Sequence, residues 1–151
     1  MGSEMCIRDR SYMDRGAYVP DDLTNKLVRD RLQNPDCANG FLLDGYPRTA
    51  DQVDELDDIL KETDSSLDAV IQLTADTDEV VRRLAKRAIE QGRSDDTEDV
   101  IRNRMAVYED QTAPLISMYA ARGSLIMVDG LGEIEAVTSR IVEALNAKNQ
   151  R

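Results

Sequence analysis

Gly40-Phe41-Leu42-Leu43-Asp44-Gly45-Tyr46-Pro47-Arg48-Thr49, followed three residues later by Gln52, is the stretch on which the fold turns. Its first half is a short apolar run between glycines, which reads as a buried strand. Its second half is a turn, after which Val53, Leu56, Ile59 and Leu60 recur at helical spacing over 49–61. Upstream, Val19-Pro20-Asp21-Asp22 looks like a helix start, with Pro near the first turn and acids facing the positive end of the dipole. Leu23, Leu27, Val28 and Leu32 carry that helix to Gln33, and Asn34-Pro35-Asp36 breaks it. Downstream, 67–73 predicts a second strand, and Asp76 or Thr77 opens a helix ending near Gly92. A long helical stretch spans 95–122, kinked or reset at Pro114 and closed by Gly123 as its C-cap. A third strand covers 124–129 and a last amphipathic helix 133–147.

Strands separated by helices cannot pair as hairpins. The order α-β-α-β-α-α-β-α therefore predicts an α/β fold, a parallel sheet with right-handed crossovers and helices on both faces. Three strands make a narrow sheet of that kind.

Composition narrows the function. The 151 residues carry a formal charge of −11, with 41% apolar and 32% charged residues, which is globular and long enough for one core. So acidic a chain argues against a general nucleic-acid surface, so an anionic ligand must be caught by a few local arginines. No run approaches the ~18 apolar residues of a membrane helix. The absence of histidine removes His-based acid–base chemistry and His metal ligands. Cys6 and Cys37 make neither a four-cysteine zinc site nor a disulfide framework, which points to a reduced, cytoplasmic setting. Met1–Ser11, MGSEMCIRDRS, has no signal-peptide pattern. It looks like a translated sequencing-adapter scar, with an ordinary polar tail as the alternative, and the native domain is expected over 12–151.

In an open parallel sheet, ligands bind beyond the carboxyl ends of the strands. Asp44 falls at such an end, where one carboxylate can hold a hydrated Mg²⁺. Gly45 lets backbone approach a ligand closely, and Pro47 stiffens the turn that presents Arg48. Arg48 offers a planar fork for a phosphate, and Gln52, about a helical turn on, an amide for an adenine edge. A lone Asp-Gly would be read as a strand–turn–helix with a solvated arginine; the whole string favours a site. Arg83 and Arg87 are four apart on one helical face, and Arg93 and Arg104 follow. Alone, these four arginines would be read as solvated surface charges.

Residues 40–52 resemble the adenylate kinase family of nucleoside monophosphate kinases, and the resemblance extends from Tyr12 to Leu145. Met13-Asp14-Arg15-Gly16-Ala17-Tyr18-Val19-Pro20-Asp21 is similar to the end of that family's AMP-binding arm, over 12–20. The resemblance implies a P-loop NTPase-like sheet and reversible phosphoryl transfer from Mg·ATP to AMP giving two ADP. It implies AMP contacts from Ala17, Tyr18, Val19, Gly45, Tyr46, Pro47, Arg48, Gln52, Arg93 and Arg104. ATP contacts are implied for Arg83, Arg87 and Gly132, the last in the loop Val128-Asp129-Gly130-Leu131-Gly132. Arg48, Arg87, Arg93 and Arg104 become the catalytic cations, aimed at charge on the phosphoryl group in flight, and no general base is required. Mg²⁺ arrives with ATP and meets Asp44 through water. Residues 87–96 resemble the short lid of the family, which carries no zinc. A monomer with ATP, AMP and ADP as partners, and neither nucleic acid nor membrane, completes the expectation.

The family's phosphate loop, G-x-P-G-x-G-K-[GST], does not occur in these residues, and no Gly-Lys pair exists. That loop supplies backbone N–H groups and a lysine to the ATP phosphates. The resemblance therefore implies loss of roughly 50 N-terminal residues, a βα unit plus a strand. The strands at Phe41, Val70 and Ile126 would flank an empty slot, and the chain is expected to be inactive and aggregation-prone. Two alternatives stay open: a UMP/CMP kinase, against which Gln52 speaks because those enzymes usually place Asn there, and a non-catalytic nucleotide-binding remnant.

Overall fold

The computed structural model describes residues 17, 19–92 and 97–150. Helix α1 (Asp21–Leu32) leads through a 3-10 turn (Pro35–Cys37) and an irregular stretch into α2 (Ala50–Glu62). Strand β1 (Val70–Thr74), α3 (Thr77–Gln91), α4 (Glu98–Val107), α5 (Ala113–Ala121), β2 (Leu125–Asp129) and α6 (Ile134–Asn149) follow. β1 and β2 pair in parallel, Val70 opposite Leu125 through Thr74 opposite Asp129. The fold is α/β with a small parallel sheet.

The strand expected over 40–45 does not form. Phe41–Leu43 is irregular and unpaired, and the described sheet has only β1 and β2. A strand exists by exchanging backbone hydrogen bonds with a neighbour, and among the described residues nothing offers them to this run. Instead a cavity of about 370 Å³ separates it from β1, walled by Phe41, Leu42, Leu43, Val70, Ile71 and Leu73 among others. The slot thus lies between the 41–43 run and β1, while β1 and β2 pair directly. Two of its wall residues carry buried polar atoms without a partner, Gln72 Oε1 and Tyr119 Oη.

The core sits where α2 and α5 meet the sheet. Val53, Leu115 and Tyr119 are buried together, with Leu67, Val70, Met118 and Leu125 packed around them. Val53, Leu56, Ile59 and Leu60 are all buried, the face their spacing predicted. α1 buries no residue, and it is pinned to α2 by Arg29, whose Nη2 lies 2.7 Å from Glu55 Oε1.

Helix ends follow local chemistry. Pro114 does reset the long helix: α4 passes into a π-helical turn, Tyr108–Thr112, and α5 starts beyond it with Pro114 in its first turn. Proline lacks an N–H and its ring crowds the preceding turn, which the wider π-turn accommodates. Gly123 (φ +71°) closes α5 with Ser124 N–H donating to Tyr119 O and Gly123 N–H to Ala120 O, a Schellman motif. At the end of β2, Gly130 N–H donates to Thr74 O at 2.8 Å, and a Cβ on Gly130 would stand 3.1 Å from that oxygen. Any larger residue would push the loop after β2 a few tenths of an ångström away from the end of β1.

Candidate nucleotide site

The turn after the 41–43 run is built to hold Arg48. Gly45 adopts φ +72°, and Arg48 Nε folds back to donate to Gly45 O at 2.6 Å. A Cβ at residue 45 would meet Arg48 Nη2 at 2.6 Å, so a larger residue there would strain the left-handed turn and push the guanidinium aside. From the far side Thr112, in the π-turn, donates its Oγ1 hydrogen to Arg48 O at 2.8 Å.

Behind the turn, α2 is tied to α1 by a closed set of polar contacts. Thr49 is the N-cap of α2, and its Oγ1 accepts from Gln52 N–H at 3.3 Å. Gln52 reaches back with Oε1 to accept from Arg48 N–H at 2.7 Å. This is a capping box displaced by one residue, since the returning side chain takes the amide before the N-cap. Asp21, the first residue of α1, closes the set: Gln52 Nε2 donates to Oδ1 at 2.8 Å and Thr49 Oγ1 to Oδ2 at 2.7 Å. Tyr46 Oη donates to Asn25 Oδ1 at 2.8 Å, with Gln52 O a further acceptor at 3.3 Å. Burial first, then the nearby Glu55 and Asp21 carboxylates, push the Tyr46 phenol up to about 12.

Arg48 and Arg104 meet on the wall of one cavity of about 720 Å³, together with Gly45, Pro47, Thr74 and Tyr108. Asp44 is exposed at the start of the same turn, and Ala17 and Val19 are half-buried just ahead of α1. Gln52 is 3% exposed and is not among the residues that wall that cavity. On the other side, Arg83 and Gly132 share a cleft of about 410 Å³ with Glu79, Arg82 and Lys86. Arg83 donates to Glu79 Oε1 at 2.6 Å and to Gly130 O at 3.2 Å, so it braces the loop as well as facing the cleft. Arg87 lies one turn further along α3, half-buried, and walls neither of these two cavities. Tyr18, Arg93 and the lid positions 93–96 lie outside the described residues.

Four residues with structural roles at these sites went unread. Thr49 was legible as the head of Thr-x-x-Gln, a capping signature. Asp21 was read only as a partner of the helix dipole; its partner residues are 28 and 31 positions away. Thr112 and Arg140 leave no mark in the sequence. Arg140 Nη1 donates to Asp129 O at 2.9 Å and Leu131 O at 2.6 Å, fixing the loop that carries Gly132.

A family model described as adenylate kinase matches residues 1–124. The chain belongs to the adenylate kinase family. Similar relatives include an adenylate kinase of Kocuria rhizophila, 59% identical over 143 residues, covering 95% of this chain and 76% of the relative. Another, from a Nocardioides species, is 53% identical over 145 residues, covering 96% of this chain and 76% of the relative. A third, from Bifidobacterium longum, is 49% identical over 143 residues, covering 95% and 77%. This adenylate kinase chain thus spans about three quarters of the length of those relatives. No helix among its described residues is long and apolar enough to cross a membrane.

Proposed function

We propose that the protein transfers a phosphoryl group reversibly between Mg·ATP and AMP, giving two ADP, and that these 151 residues alone turn over little or not at all. The observation that carries the first part is the meeting of Arg48 and Arg104 on one cavity wall beside the Asp44-Gly45 turn. Phosphoryl transfer asks the protein for positioning and for cations aimed at the equatorial oxygens, and two arginines lining one cavity are suited to both. Ala17, Tyr18, Val19, Gly45, Tyr46, Pro47 and Gln52 would hold AMP, with Arg93 joining Arg48 and Arg104 on the phosphate. Arg83, Arg87 and Gly132 would serve ATP, and 87–96 would close as a short lid.

Mg²⁺ enters as part of the ATP substrate. Among the described residues no three His, Cys, Asp or Glu side chains gather into a metal-holding group. The exposed Asp44 is a single carboxylate, which suits an ion that keeps its waters and is held mainly by phosphates. What supports the second part is chemical: G-x-P-G-x-G-K-[GST], whose successive backbone N–H groups and lysine cradle the ATP phosphates, does not occur in these residues. On the same reading the intact enzyme would work in the cytoplasm as a monomer.

A coupled assay for ADP formation on the purified chain tests this. Turnover near that of an intact relative would overturn the inactivity; binding of UMP or CMP in preference to AMP would overturn the substrate.

A further inference from the structure

An amide side chain has two N–H donors and two acceptor lone pairs. In Gln52 the protein uses one of each: Nε2 donates to Asp21 Oδ1 and Oε1 accepts from Arg48 N–H. The partners dictate which end is which. A carboxylate only accepts and a backbone N–H only donates, so the amide stands one way round and the reverse would set donor against donor and acceptor against acceptor. What remains is one N–H and one lone pair, in fixed order. Adenine presents an acceptor at N1 beside the donor N6 amine; hypoxanthine, with the same purine outline, presents a donor at N1 beside the acceptor O6.

We propose that Asp21 is a positioning residue for base selection: its carboxylate locks the Gln52 amide in the sense that suits the amine edge of adenine and opposes the reversed edge of hypoxanthine. The inference rests on the reading of Gln52 as the residue that meets the base. Gln52 is 3% exposed and held at both polar atoms, so a base that reaches it meets an amide whose sense is already set. Of the two locks, the Arg48 N–H belongs to the backbone and survives any side-chain change. Asp21 is the lock that mutation can remove, and its loss leaves the reversed amide opposed at one end only.

The test titrates the purified chain with AMP, IMP and ribose 5-phosphate, followed by nuclear magnetic resonance. Ribose 5-phosphate carries the phosphate and sugar without a base. The unmodified chain is expected to bind AMP about tenfold or more tighter than IMP, since a site that pairs with polar edges penalises a mismatched one. Asp21→Ala should bring that ratio within about threefold while ribose 5-phosphate binding stays unchanged. Asp21→Asn can either accept from or donate to the Gln52 amide, so it no longer fixes the sense of that amide and should narrow the ratio as Asp21→Ala does. Thr49→Val, which removes the other contact of the carboxylate, should lower the melting temperature and leave the ratio intact.

An unchanged ratio in Asp21→Ala overturns the inference, and so does an equal loss of AMP and ribose 5-phosphate. Gln52→Ala separates the two layers. If it abolishes the AMP preference and Asp21→Ala does not, only the role of Asp21 fails. If it leaves the preference untouched, or if the unmodified chain shows none, the base reading of Gln52 fails and the inference with it.

Discussion

Gly45 is the residue on which the candidate site is most sensitive. Its positive φ and the 2.6 Å approach of Arg48 to where a Cβ would stand make Gly45→Ala doubly unfavourable. The left-handed backbone alone should cost about 1–2 kcal/mol. Displacement of the Arg48 guanidinium should weaken AMP binding by roughly tenfold, the equivalent of about 1.4 kcal/mol. Denaturant unfolding and an AMP titration check the two parts, and unchanged affinity would free Arg48 from its place at the phosphate. Tyr46 gives a pH signature. Its phenol titrates near 10.0 when unfolded and at about 12 when folded, because burial opposes the charged form. Below pH 10 both states hold the proton, and between about 10 and 12 the unfolded chain sheds it first, so stability falls with rising pH. Tyr46→Phe should make that alkaline fall shallower, as read from melting temperatures across pH 9–12. It should not abolish it, because burial also raises the phenol of Tyr119. At this scale the sequence was most informative where a residue's partners are near in the chain. Gly45 was legible as a place of close approach and Arg48 as a phosphate fork, although what approaches Gly45 is Arg48 itself. The partners of Asp21 were not legible, because they arrive only when α1 docks on α2.

The helices were legible nearly to the residue, and the reasons are local. α2 was expected over 49–61 and spans Ala50–Glu62, because Thr49 caps it and its apolar stripe is unambiguous. α3 ends where Gly92 turns left-handed at φ +59°, as its glycine promised. The end of α2 shows where pattern runs out. Asp64, with φ +50°, closes a Schellman motif in which Ser65 N–H reaches Leu60 O at 2.9 Å, a place glycine usually takes. Asp64→Gly should therefore stabilise the chain by about 0.5–1 kcal/mol in urea unfolding, with nucleotide binding unaffected. A loss of stability would mean that the Asp64 side chain, not its backbone, serves the turn. Strands were less legible than helices. An apolar run marks a segment that wants two covered faces, but pairing needs a neighbour, and periodicity is blind to neighbours. Phe41–Leu43 has the run and, among the described residues, lacks the partner.

For the whole molecule, the cavity between the 41–43 run and β1 dominates. Leu42 is 89% exposed and Leu73 53% exposed, and one edge of β1 faces the cavity rather than another described strand. Apolar surface beside an open strand edge is a template for association. The chain should therefore self-associate at concentrations on the order of 100 μM, the range in which exposed edges cause aggregation. Leu42→Lys should reduce that association in sedimentation velocity with little change in melting temperature. A wild-type chain that stays monomeric there would show the slot to be covered.

The register of the sheet has a kinetic consequence. Val70 meets Leu125 only after α3, α4 and α5 have been brought between them, so the two strands cannot find each other locally. Closing so long a loop is slow and gains its contacts late, whereas helical turns form on their own. In refolding, helical circular dichroism should return ahead of the tyrosine fluorescence change to which burial of Tyr119 contributes.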